Sequence, residues 1–231
     1  MRIKPEMDAI SVVVVGNFNP AIFTPAWFAL HELLPEGAAT SAELEVAHPE
    51  ITQFRSDWLN LEVRTDRFVA QTTQAPYIRV CDLAVRVFKE HLPHTPIRAF
   101  GINREVHFCV HAAAERNQIG RALAPVKPWG TWGQQLGASG EQGGMTSLTM
   151  TQVAIKGRPS DDRINVKVEP SKRVGDGTMG VYMQVNDHHT TGETDGPGVS
   201  GRLMGVLEKN FDSSLAYGEN IIDHIMSLAE A

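Results

Sequence analysis

Hydrophobic residues in the first third of the chain are spaced mostly as in β-strands. A continuous β-branched run from Ile10 to Val15 ends at Gly16, and such a run is typical of a buried central strand. From residue 42 to residue 69, apolar and polar side chains alternate instead. This stretch predicts several short strands in a meander with one face exposed to water.

Helical spacing occurs twice before residue 93. Thr24 can cap a short apolar helix that has Pro25 at its first position and ends at Pro35. A longer helix opens at Pro76, and its apolar residues recur at spacings of three and four, which places them on one stripe. That stripe consists of Tyr77, Cys81, Ala84, Val85, Phe88 and Leu92.

The C-terminal half shows the same succession of patterns. A long strand is predicted from Ile97 to Val110, with Gly101 as the point where it could break. The further predictions are a short helix over residues 112–123, strands over 145–155, 163–168 and 179–185, and a helical stripe from Leu203 to Ala229. The glycine-rich stretch 137–144 is predicted to be a flexible loop.

Each half of the chain therefore reads as a strand, a short helix, several strands and a longer helix. We predict an α+β fold with a curved, mainly antiparallel sheet and two long helices on one face. Residues 1–231 form a single domain in this prediction, built from two pseudo-repeats at about 10–94 and 95–231. The order of elements is similar to that of the TATA-binding-protein-like fold and of helix-grip folds. This resemblance is architectural, covers nearly the whole chain, involves no specific motif and implies nothing about DNA binding.

Composition restricts the classes of partner. The 231 residues are 42% hydrophobic and 21% charged, as in ordinary soluble domains, and the formal net charge is −6. A mildly acidic chain lacks the basic face that nucleic acids require, so no nucleic-acid partner is predicted.

The location of the protein is also predicted from the sequence. No stretch approaches the ~20 apolar residues that cross a bilayer, and the N-terminal pattern is not that of a signal peptide. We therefore expect no membrane partner and a cytoplasmic location, with Cys81 and Cys109 as thiols in a reducing compartment; a disulfide between them is the alternative.

The sequence contains no motif for a known catalytic chemistry. It lacks the GxSxG and P-loop patterns. Gly175, Gly177 and Gly180 have GxGxxG spacing but do not open a predicted helix, so a hairpin turn is the preferred interpretation. No catalytic residue and no cofactor is therefore predicted, and whether the protein is an enzyme stays open.

Histidines are the metal-binding residue type to consider. His107, Cys109 and His111 recur at every second position of a predicted strand, which places neighbours about 7 Å apart on one face. That spacing is too wide for all three to hold one ion, so a half-buried sheet face is the preferred interpretation and no metal ligand is assigned. A second group, Asp187, His188, His189, Glu193 and Asp195, falls in a predicted polar loop.

Aromatic residues among glycines and prolines give the clearest functional pattern. Phe18, Phe23 and Trp27 lie in one such segment, and Trp129 and Trp132 lie in another. Half-exposed aromatic side chains are favoured anchors for protein partners, although the same residues could simply close the ends of the sheet.

Two functions are compared on this basis. The leading hypothesis is a non-enzymatic interaction or assembly protein that binds a protein partner, or a second copy of itself, through its sheet ends and aromatic loops. The alternative is a small-molecule-binding protein or enzyme with a pocket between sheet and helices, lined by His107, His111 and Tyr182 and with a histidine metal site as a further option.

Overall fold

The structure, a computed structural model, describes residues 1–136, 143–191 and 199–230. Its strands are β1 (Met7–Gly16), β2 (Glu43–His48), β3 (Ile51–Arg55), β4 (Asn60–Arg64), β5 (Arg67–Thr72), β6 (Ile97–Cys109), β7 (Leu148–Gln152), β8 (Arg163–Pro170) and β9 (Gly180–Thr190). Its α-helices are α1 (Pro25–Leu30), α2 (Glu36–Thr40), α3 (Ile78–Arg86), α4 (Ala113–Leu123), α5 (Gly130–Gln135) and α6 (Val199–Met226). A π-helical turn, Val87–His91, continues α3.

All of these strands belong to one sheet. The nine strands follow the order β2-β3-β4-β5-β1-β6-β9-β8-β7, and every neighbouring pair is antiparallel. The long strands β1 and β6 lie side by side near the middle, and the short strands β2 and β7 form the two edges. The predicted α+β class and the antiparallel sheet are confirmed.

One face of the sheet carries the apolar core. On β1 the side chains of Ile10, Val12 and Val14 are buried, whereas Val13 and Val15 on the other face are only partly buried. This alternation follows from the two-residue period of a strand, and it places the core under α3 and α6. The core has two separate clusters, one around β1, β4, β5 and α3, and one around β8, β9 and the end of α6.

Helix α6 is the element that joins the two clusters. Leu207 and Phe211 belong to the first cluster, and Ile222 and Met226 belong to the second. A helix of 28 residues is about 42 Å long, which is enough to reach both. The hydrophobic stripe of α6, predicted from the spacing of these residues, therefore packs against the core along most of the helix.

Two elements differ from the predicted ones because of tertiary contacts. Strand β6 runs through Gly101 without a break. A Cβ at this position would lie 2.6 Å from Asn186 Nδ2, so the glycine leaves room for that amide. Strand β9 continues to Thr190, so Asp187, His188 and His189 are paired strand residues and not part of a loop.

Helix α1 stops at Leu30, earlier than predicted, and Glu32 follows with a left-handed φ of 53°. The predicted flexible loop 137–144 and the residues Glu193 and Asp195 fall largely or wholly outside the described residues. No helix in the described ranges is both long and apolar enough to span a membrane.

The role of α6 leads to a stability prediction. Phe211→Ala removes a side chain that is fully buried in the first cluster, so we expect it to lower the free energy of unfolding by about 3–5 kcal/mol. Tyr217→Ala, on the exposed side of the same helix, is the matched control and should change it by less than about 0.5 kcal/mol. Urea denaturation followed by circular dichroism measures both, and equal effects would contradict this role of the helix.

Candidate functional site

A row of polar side chains crosses the sheet on the face opposite α3 and α6. Its members stand next to each other in the strand register and are Thr151, Asn165, Asn186, Asn103, Ser11, Gln71 and Asn60. Asn186 Nδ2 donates to Asn103 Oδ1 over 2.6 Å, and Thr151 Oγ1 donates to Asn165 Oδ1 over 2.8 Å. Because hydrogen bonds join several of these side chains across neighbouring strands, we interpret the row as a link between strands and not as a ligand site.

The structure brings together two of the three predicted pocket residues. His107 and Tyr182 are directly opposite in the β6–β9 register, with ring centroids 4.7 Å apart. His107 Nδ1 lies 2.7 Å from Ser171 Oγ. Their strand neighbours on both sides point into the second core cluster, so both rings lie on the face away from α6. His111 is separate, because its backbone N–H and imidazole contact Glu115 at the start of α4.

Electrostatics keeps this group uncharged near neutral pH. Burial lowers the pKa of His107, and the charge of Arg173 lowers it further. Burial also raises the pKa of Tyr182 to about 12, with the carboxylates of Glu105 and Glu169 adding to the effect. A neutral imidazole, a protonated phenol and a buried serine hydroxyl form a hydrogen-bonding group without an activated nucleophile.

Neither predicted histidine group forms a metal site among the residues that the structure describes. Burial, with contributions from Glu6, raises the pKa of the Cys109 thiol to about 11, which disfavours the thiolate that metals bind. In the part of the chain that the structure describes, no three His, Cys, Asp or Glu side chains are arranged to hold a metal ion.

A buried group of ionic side chains lies between the two core clusters. We call Arg104, Asp187, His189 and Ser214 the polar seam; all four are buried. On β6 the seam residue Arg104 stands between Ile102 of the first cluster and Val106 of the second. On α6 the seam residue Ser214 lies between Phe211 of the first cluster and Ile222 of the second.

The first half of the polar seam centres on Arg104. Its Nη1 and Nη2 atoms contact the carboxylate of Asp8, and Nη2 lies 3.5 Å from Glu219 Oε1 on α6. Its guanidinium also lies over the ring of Tyr77, 5.6 Å from the centroid. Gly218 allows α6 to come close here, with its Cβ position 3.5 Å from the Cβ atoms of Arg104 and Val185.

The second half of the polar seam centres on Asp187. Arg158 Nη1 lies 2.5 Å from Asp187 Oδ1, and Ser214 Oγ donates to Oδ2 over 2.6 Å. His189 lies between two carboxylates, with Nδ1 3.1 Å from Asp162 Oδ2 and Nε2 3.3 Å from Asp187 Oδ1. The second of these contacts is poorly aligned for a hydrogen bond, so we treat it as electrostatic.

Burial acts against the ionised form of Asp187, but its partners outweigh burial. His189, Arg158 and Ser214 together hold the pKa of this carboxyl well below its ordinary value. The His189 ring also stacks on Phe100, with centroids 4.7 Å apart. Both buried ions of the polar seam are thus paired with an opposite charge, which favours a structural role over a reactive one.

Sequence reasoning did not find the polar seam, although one pattern pointed to it. Asp187 and His189 continue the alternation of Met183 and Val185, so extending the strand would have placed both side chains inward. Their partners Arg158 and Ser214 are remote in sequence, and no local pattern indicates them.

The two aromatic segments have different environments. Phe18 and Phe23 are buried in the first core cluster, and Trp27 is partly buried beside Phe23, with ring centroids 5.7 Å apart. Trp129 and Trp132, by contrast, are 61% and 55% exposed and lie against each other with centroids 5.5 Å apart. Of the predicted partner-binding residues, these two are presented to solvent.

A cavity of about 490 Å³ lies beside the tryptophan pair, between α4, α5 and β8. Its apolar lining includes Ile119, Trp129, Trp132, Leu136, Met145 and Val168. The charged groups at its border already have partners, since Arg116 Nη1 donates to Gly177 O and Glu169 accepts from Ser147 Oγ. The cavity therefore offers mainly apolar contact.

The backbone around α5 fixes the position of both tryptophans. Gly133 packs against the preceding turn so closely that a Cβ there would lie 2.1 Å from Val126 O. Gly130, between the two tryptophans, has a left-handed φ of 59° that favours glycine. The exposed pair is therefore held by a glycine-dependent turn.

Comparison with known proteins adds no assignment: no protein-family model matches this chain, and no curated protein matches it significantly.

The pKa of Asp187 leads to a pH prediction. Because it is lowered in the folded protein, its ionisation contributes stability above the unfolded pKa of about 4, and this contribution is lost as the pH falls below that value. Asp187→Asn should cost about 3–5 kcal/mol at pH 7, since it removes the buried carboxylate that pairs with Arg158 and accepts from Ser214 Oγ. The deficit relative to wild type should shrink between about pH 5 and pH 2.

Denaturant unfolding across this pH range provides the measurement. Asp161→Asn, at an exposed position beside the network, is the control and should follow wild type at every pH. A deficit for Asp187→Asn that is independent of pH would show that the carboxylate charge is not what matters.

Proposed function

We propose that this protein is a non-enzymatic interaction or assembly protein that binds a protein partner, or a second copy of itself, through a sheet end and an aromatic loop. The observation that carries the proposal is the exposed pair Trp129 and Trp132, 61% and 55% accessible, beside an apolar cavity. Tryptophan is the residue type most often found at the energetic centre of interfaces, and exposed tryptophans that touch each other form a coherent apolar patch.

The state of the polar groups supports binding over catalysis. His107, Tyr182 and Ser171 form a neutral group, and the two buried ions of the polar seam, Arg104 and Asp187, are each paired with an opposite charge. A catalytic constellation would need a reactive group poised near neutral pH and open to a substrate.

We also propose that the sheet is built from two pseudo-equivalent units, about 10–94 and 95–231, within one domain. Three features support this. Strands β1 and β6, the first of each unit, are neighbours; the later strands of each unit continue outwards on opposite sides; and the helices α3 and α6 contact each other over the sheet. We further propose that the fold is similar to TATA-binding-protein-like and helix-grip folds. A cytoplasmic location is also part of the proposal.

The second candidate function is small-molecule binding, which the 490 Å³ cavity favours because its volume is in the range of ligand pockets. The cavity is formed by α4, α5 and β8, and His107, His111 and Tyr182 do not line it. The expected ligand is apolar. An amphipathic fatty acid that quenches tryptophan fluorescence in wild type and fails to do so in Ala124→Phe, which fills the cavity, would favour this candidate.

The tryptophan pair gives the test of the leading proposal. We expect the double substitution Trp129→Ala and Trp132→Ala to weaken association by about 2 kcal/mol or more, because both side chains would be anchors. Sedimentation velocity measures self-association, and titration calorimetry measures binding to any protein that co-purifies stoichiometrically from the host.

The control and the contrary outcome follow from exposure. Leu30→Ala removes another highly exposed apolar side chain, on α1, and should leave association unchanged. The double variant should keep the melting temperature of wild type, since neither indole is part of the core clusters. Undiminished association of a folded double variant, or a wild-type protein that binds neither itself nor a host protein, would reject the proposal.

A further inference from the structure

The two edges of the sheet are unlike each other. At one edge, β2 carries Glu43 and Glu45, its register against β3 shifts between Leu44 and Val46, and Glu45 is paired with Arg55 at 2.9 Å. Charged side chains and irregular register are the devices by which exposed strands avoid pairing with other chains. The β2 edge is protected in this way.

The β7 edge has neither protection. Strand β7 has the sequence LTMTQ, and no residue from Gly143 to Ile155 is charged. Its register against β8 is regular over all five residue pairs. Met150 is 64% exposed although it lies within the strand. Among the described residues, none pairs with the outer side of β7, which therefore presents backbone groups and an apolar side chain to solvent.

We propose that β7 pairs antiparallel with β7 of a second copy of this chain, around a two-fold axis that passes between the two Met150 residues. This inference rests on the proposed assembly function and names its partner and its surface. In this register Thr149 faces the partner's Thr151, Leu148 faces the partner's Gln152, and Met150 faces the partner's Met150.

Self-complementarity is the reason for choosing a second copy. No like charges meet in this register, threonine pairs are favourable across strands, and each Met150 covers the other. On β2, a two-fold axis at Glu45 would place the Glu45 carboxylates of the two copies opposite each other. Charge therefore permits self-pairing at the β7 edge and opposes it at the β2 edge.

The faces of the strand also agree with this arrangement. Thr151 belongs to the polar row on the open face of the sheet, so pairing would continue that row into the partner through its Thr149. Met150 points to the opposite face, beside Val166 of β8. The threonines would thus meet on the polar face and the two Met150 side chains on the other, where Leu148 at each end faces the partner's Gln152. The sheet would extend from nine strands to eighteen, twice the nine of one copy.

The oligomeric state of charge variants tests the proposal. Wild type should be a dimer by sedimentation velocity. Met150→Lys and Met150→Glu should each raise the dimer dissociation constant by at least about tenfold, because each places like charges at the two-fold axis. An equimolar mixture of the two variants should recover the dimer. Leu44→Lys at the exposed β2 edge is the matched control and should remain dimeric.

Cysteine cross-linking tests the register. In a Cys109→Ser background, Met150→Cys should form an intermolecular disulfide under mild oxidation, because residues facing each other across strands lie within disulfide reach. Thr151→Cys should not, because it faces residue 149 of the partner and its own copies lie farther apart. Efficient cross-linking at residue 151 but not at residue 150 would overturn the register.

These results separate this inference from the proposed function. A dimer that survives Met150→Lys, or a monomeric wild type, overturns the inference. The proposed function still stands in two cases. In the first, the dimer that survives Met150→Lys is lost in the tryptophan double variant. In the second, a monomeric wild type binds a host protein through Trp129 and Trp132. Loss of the dimer in both single charge variants with recovery on mixing supports the inference whatever the tryptophans do.

Discussion

The contact of α6 with both core clusters is the constraint on which the rest of the structure depends. The helix inserts Leu207 and Phe211 between sheet and α3, and one end of the same helix inserts Ile222 and Met226 over β8 and β9. Neither cluster is closed without it. At the middle of the helix, Gly218 allows close approach to β6 and β9, so helix and sheet are held together where the apolar contacts are interrupted.

The polar seam determines how the helix can sit. Ser214 must reach Asp187, and Glu219 must reach Arg104, so sliding the helix by one turn would separate buried charges from their partners. Buried ion pairs add little net stability compared with apolar side chains, but breaking one is costly. We therefore infer that the seam selects one register of α6 against the sheet. The apolar clusters on either side supply most of the stabilisation.

Periodicity was enough to predict the class of fold, because strands and helices with one apolar side reveal themselves locally. Ile10 to Val15, the stripe from Tyr77 to Leu92 and the stripe of α6 were all recognised in this way. The polar seam was missed because its inward residues are charged and their partners are distant in sequence. The aromatic segments could not be separated from sequence alone, since Phe23 and Trp129 occupy similar local patterns and only tertiary packing buries the first.

The inequality of the two sheet edges bears on how far such a molecule can grow. A sheet that is adhesive at both margins can polymerise without limit, as in fibrils. Here one margin carries acidic side chains and a shifted register, so only the neutral margin is suited to joining. If the β7 edges of two copies pair, neither copy has a neutral edge left. The acidic β2 edges then disfavour the addition of further chains. The chain would thus encode a closed pair with its own stop against fibre formation.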